Sequence, residues 1–100
     1  MTSSLQDQAA ATDRLRRALL EFQTAQSFLI NAQRRMKVLP QAQVDAYWSG
    51  PGCEVEAAMR IAATNVVVAF KVFSAAGLVA GAADRRLITA AQRHLAEPQL

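Results

Sequence analysis

Side chains in the first third of the chain fall at alternating steps of four and three residues, at Leu15, Leu19, Phe22, Gln26, Leu29, Gln33 and Met36. A flanking column, Ala11, Ala18, Ala25, Ala32 and Leu39, repeats every seven residues. That is the period of a helix seam against another helix and not of a strand. The pattern predicts a helix over about residues 4–39, capped by Ser3 or Ser4, with Asp7 in the first turns where the helix dipole favours an acid. The two glutamines weaken the seam or pair across an interface. A second set has the same spacing throughout: Val55, Met59, Ala62, Val66, Ala69, Phe73, Ala76, Ala80, Ala83, Leu87 and Ala90. It predicts a helix over about residues 53–96, closed by Pro98. The Val66-Val67-Val68 run is not read as a strand, because no alternation surrounds it.

Pro40 and the Ser49-Gly50-Pro51-Gly52 cluster are the strong punctuation between the two segments. Pro40 stops or kinks the first helix, since it lacks an N–H and clashes with the preceding turn. Residues 41–47 suit a short helical continuation, and residues 48–52 a sharp reversal. The expected fold is all-α: one unit over residues 1–100, an antiparallel helix-turn-helix hairpin that pairs into a four-helix bundle. Gly77 and Gly81, beside Ala76 and Ala80, are expected to let another backbone approach closely. Val67, Phe70, Val72 and Val79 project beyond the seam and would lie in water in a lone hairpin, which marks a partner site. The expected partner interface is Leu15, Leu19, Phe22, Leu29, Met36, Val55, Met59, Val66, Phe70, Phe73, Ala80 and Leu87.

Residues 66–83 carry a single charge, Lys71, and are apolar nearly all round. A membrane span needs about 20 predominantly apolar residues, and a lysine near its centre costs roughly 2.5–3.5 kcal/mol. Many of the others are alanine or glycine, which contribute little. The segment is therefore read as a helix buried on more than one side.

Composition supports the helical reading. The chain is 52% hydrophobic and 19% charged, which excludes a disordered tail. Alanine fills 21 of the 100 positions and aromatics only 6%, a composition for closely approaching helices. The net charge of +3 and pI near 9.8 do not imply nucleic acid. The pairs Arg16-Arg17, Arg34-Arg35 and Arg85-Arg86 are separated along the chain, whereas a phosphate-binding footprint clusters its cations on one face.

Chemistry-bearing residues are few. Cys53 is the only cysteine, so no intrachain disulfide or cysteine-only zinc site is available. It is expected at a helix start, partly buried or capping, without a nearby base. Glu54 and Glu56 lie two apart and point to different faces of a helix N-terminus, where acids stabilise the dipole. His94, beside Arg93, suits a helix C-terminus. There is no glycine-rich phosphate loop, zinc-binding histidine pair or serine elbow. Neither an enzyme nor a cofactor is expected. The N-terminal stretch has no apolar run ahead of its charges, so no cleaved signal peptide is expected.

The most specific feature is Trp48-Ser49-Gly50, a lone tryptophan between two amphipathic segments. With it, the chain resembles the WXG-motif family of small helical hairpins exported by type VII (ESX) secretion systems. The resemblance extends over the whole chain in length and helical pattern, and its specific part is these three residues. It implies a homodimer or heterodimer of similar hairpins, contact with secretion machinery, and secretion without a cleaved signal peptide. Family members often carry Tyr-x-x-x-Asp/Glu late in the second helix. Here the only tyrosine is Tyr47, and the nearest remnant is Ala80-Gly81-Ala82-Ala83-Asp84. The resemblance then implies that a heterologous partner supplies the signal. The other readings are a cytoplasmic helical adaptor or chaperone that holds a protein partner, and a membrane-associated hairpin through residues 66–83.

Overall fold

The computed structural model describes residues 4–97. Four helices follow one another: α1 (Leu5–Met36), α2 (Gln41–Ser49), α3 (Pro51–Ala75) and α4 (Ala82–Ala96), and the described residues contain no strand. The fold is all-α. Each helix boundary has a local cause.

Ser4 caps α1 with a capping box: its Oγ accepts from the Asp7 N–H at 3.1 Å, and Asp7 Oδ2 accepts from the Ser4 N–H at 3.4 Å. Helix α1 ends at Met36, short of the expected residue 39. Continuing the helix through Pro40 would press its ring against the carbonyl four residues back, that of Met36. Pro40 instead starts α2, its carbonyl accepting from Gln43 and Val44 at 3.0 and 3.1 Å. Pro51 occupies the first turn of α3, where its missing N–H costs nothing. Only Gly50 separates α2 from α3. The reversal is thus not the expected loop over residues 48–52: Trp48 and Ser49 are helical, and a nine-residue helix makes the crossing.

The largest departure concerns the expected helix over residues 53–96, which is two helices. Gly77 adopts φ +82°, a left-handed conformation that only glycine takes readily. Its N–H donates to Ser74 O at 3.0 Å, and the Leu78 N–H donates to Phe73 O at 3.3 Å. This is a Schellman termination, completed by an apolar contact of Leu78 with the core. Gln8 Nε2 of α1 also caps the Ala76 carbonyl, at 3.1 Å. Gly77 and Gly81 do not admit another backbone, since a Cβ at either would meet nothing within 4 Å. Gly77 turns the chain, and α4 packs back against α3 and α1. Ser3 and Pro98, the other expected boundary residues, lie outside the described residues.

Helices α1 and α3 form a long antiparallel pair in a rod of 57 × 21 × 18 Å. Their seam holds Leu15, Leu19, Phe22, Met59, Val66 and Phe73, joined by Ile88 and Ala91 of α4. Eight of the fifteen buried apolar residues are alanines, so the helices approach closely and most of the apolar area comes from the few larger side chains. Phe22 and Val66 are the largest fully buried ones.

Candidate partner-binding surface

The residues expected to meet a partner are largely consumed inside the chain. Leu15, Leu19, Phe22, Met59, Val66, Phe73 and Ala80 are buried, and Leu29, Met36, Val55, Phe70 and Leu87 are half-buried. Phe70 packs on the core, and Val67 is half-buried. A seam has the same period whether its neighbour belongs to the same chain or another, and here α1, α3 and α4 supply one another. Val72 and Val79 remain exposed, as expected.

The surface left open is a different one. Helix α4 lies over one of the two grooves between α1 and α3, beside Thr12, Leu15, Arg16, Leu19, Leu20 and Gln23. The opposite groove is uncovered. Leu20, Thr24, Ala25 and Phe28 of α1 line it with Ala58, Ile61 and Ala62 of α3. Phe28 and Ile61 are 64% and 63% exposed, values that place both rings and branches in water. Val68 and Val72 extend the strip along the same face of α3. Towards the N-terminus of α1 the groove turns polar, with Arg14, Arg17, Glu21 and Asn65. Periodicity hid this strip because its residues lie about a quarter-turn from the seam. The signal available was the excess of apolar positions on α3 beyond a single stripe.

Antiparallel packing sets α1 and α3 at matched levels. Gln8 touches Ala76, Glu21 lines the groove with Asn65, and Thr24 lines it with Ile61. Levels therefore run in opposite directions along the two helices, and Thr24 and Ile61 mark the middle of the apolar stretch.

At the far end of the rod, Tyr47 and Trp48 meet edge to face, with ring centroids 5.0 Å apart and planes at 80°. Both are half-buried and rest on α3 over Gly52, which is buried. A Cβ on Gly52 would lie 2.8 Å from Tyr47 Cε1 and closer still to Trp48 Cε3. Trp48 is thus half-buried against α3. Of the expected motif, Gly50 breaks the helix and Ser49 donates its hydroxyl to Asp45 O at 2.9 Å, while Gly52, expected only as part of a sharp reversal, makes room for the aromatics. Its signal was a glycine in the first turn of a helix, where it weakens the helix unless something needs the space.

Cys53 is exposed, not partly buried. His94 is half-buried in the last turn of α4 with Arg93. Among the described residues, no three metal-ligating side chains cluster. Helix α3 is long and apolar enough to cross a membrane, with a mean hydropathy of 1.4 over its best stretch, and it is also the helix that touches the other three. The run over residues 66–83 is not a continuous helix, being cut by the turn at Gly77. No protein-family model, curated protein or solved structure matches this chain.

Proposed function

We propose that this protein acts by pairing: it presents the open α1/α3 groove to a helical partner, in the manner of the small secreted hairpins that its Trp48-Ser49-Gly50 motif resembles. The observation that carries this reading is the pair Phe28 and Ile61, left in water in the groove that α4 does not cover, with exposed Leu20 bordering both grooves on the outer side of α1. Large apolar side chains gathered on one face of a small domain mark an interaction site. A helix laid along the groove buries them against the small floor of Ala25, Ala58 and Ala62. The aromatic pair at the tip of the rod is a second contact point, suited to export machinery or to the end of the partner.

Ile61→Arg tests the reading. It places a charge in the middle of the strip without disturbing the core, because Ile61 is exposed. The melting temperature of a non-associating sample should stay within a few degrees, and recovery of a bound helical protein from the source cells should fall sharply. Unchanged recovery with an intact fold would remove the groove from the function. Detection of the chain in culture filtrate separates an exported hairpin from a cytoplasmic adaptor or chaperone using the same surface.

A further inference from the structure

We infer that α2 is a latch: it releases from α3 and melts as one unit while α1, α3 and α4 stay packed, and so frees Tyr47 and Trp48 at the end of the rod. The latch is independent of what the α1/α3 groove binds.

Little holds α2 in place, and what does is concentrated at one point. The helix has nine residues, none of them buried, and no side chain caps its N-terminus. Isolated helices shorter than about 12–15 residues are marginal in water, so α2 depends on its seat for its own fold. The core of Leu15, Phe22, Val66 and Ile88, with the half-buried side chains packed on it, includes no residue of α2. Its side-chain hydrogen bonds turn inward: Gln41 Nε2 donates to Asp45 Oδ1 and Ser49 Oγ to Asp45 O, each at 2.9 Å. That leaves Val44, Tyr47 and Trp48, the half-buried residues of α2, and of these the two rings close over buried Gly52 of α3.

Both ends of α2 part readily from their neighbours. Pro40 has no N–H to return to α1, and its carbonyl serves Gln43 and Val44 of α2 itself. At the other end Gly50 is the single residue between α2 and α3, and a Cβ there would meet only Ala46 O within 4 Å, so no other helix crowds the pivot on that side. Once the rings leave Gly52, too little contact remains to keep a nine-residue helix formed. Residues 37–50 then become a fourteen-residue loop anchored at Met36 and Pro51. Half of such a loop reaches about 20–25 Å from its anchors at full extension. It carries the only tryptophan and the only tyrosine of the chain, and a partner approaching the end of the rod meets both with their ring faces free.

Native-state hydrogen exchange on the full chain, followed residue by residue by NMR across low urea concentrations, tests the latch. The amides from Val44 to Gly50 should share one level of protection, at least about a hundredfold below that of Phe22 and Val66. Their exchange should hardly respond to urea below the main unfolding transition, because opening α2 exposes little surface, whereas the core amides should quicken steeply. Gly52→Ala and Trp48→Ala spoil the seat from either side, and each should speed α2 exchange about tenfold while circular dichroism shows the long helices retained. Phe28→Ala, in the groove, should leave α2 exchange unchanged. Amides of α2 as protected as the core, or quickening with urea in step with it, overturn the inference. So do α2 amides with no protection at all, since a latch must close, and an exchange rate that neither seat substitution changes.

Discussion

Gly52→Ala is the substitution in which local propensity and packing disagree most clearly. In an open helix, alanine for glycine favours folding by roughly 0.4–1 kcal/mol, through the unfolded chain's lost freedom. Here the new methyl group would overlap the Tyr47 and Trp48 rings, with Tyr47 Cε1 at 2.8 Å. Forcing an extra methyl into an occupied space costs typically about 1–3 kcal/mol. The rings can escape only by swinging into solvent. That gives up their cover over α3 and their 5.0 Å edge-to-face contact, the latter worth about 0.5–1.5 kcal/mol. The net expectation is a loss of about 1–2 kcal/mol, at about 4–8 °C of melting temperature per kcal/mol for a chain this size.

Gly50→Ala is the control. Its Cβ would meet only Ala46 O, at the ordinary distance of 3.4 Å, so no ring stands in its way. Thermal melts followed by circular dichroism should therefore rank Gly52→Ala well below Gly50→Ala. Trp48 is the only tryptophan, so its emission reports the tip directly and should shift to the red in Gly52→Ala. In a Trp48→Ala background the Gly52→Ala penalty should shrink, the coupling expected of residues in contact. A Gly52→Ala protein that melts at or above wild type with unchanged emission would refute the packing of the aromatic pair on α3.

Two further outcomes follow from the core and the turn. Phe22→Ala removes a fully buried ring and should cost about 3–5 kcal/mol in thermal or urea unfolding, whereas Phe28→Ala, at an exposed position, should leave monomer stability within about 0.5 kcal/mol and act only on association. Gly77→Ala meets no atom within 4 Å but must hold φ +82°, so its cost of about 1–2 kcal/mol is purely backbone; Gly77→Asn should recover part of it, and equal melts for glycine, alanine and asparagine would contradict the helix termination at this residue.

The helical character of the chain was legible because the four-three spacing holds over both segments and few residues interrupt it. The stops were harder to read. Pro40 announced itself, but its effect on Met36, four residues earlier, shortened α1 beyond the reading. By its neighbours alone, Gly77 reads as a small residue that admits another backbone. Its place in Phe73-Ser74-Ala75-Ala76-Gly77-Leu78 instead carries the pattern of a Schellman stop, an apolar residue after the glycine and another five positions before that residue. The unbroken seam from Val55 to Ala90 outweighed that signal, since periodicity registers which positions are apolar and not whether the helix between them continues. The same blindness affected the interface. Leu15, Phe22 and Val66 were assigned to a partner because a seam looks alike in either setting, and α4 was not available as a separate helix to fill it from within.

Separating α4 from α3 also limits what can cover the remaining groove. A rod of 57 Å built on two long helices has a groove on each side. Helix α4 has fifteen residues, about 22 Å of helix, and occupies part of one side near Phe73 and Ala80. Helix α2 has nine residues and packs on the start of α3 at the tip. Among the described residues no further helix is left to lie against Leu20, Phe28 and Ile61. If the strip is covered at all, the covering helices come from outside these residues. A partner built as a helical hairpin meets that need with two long helices at once.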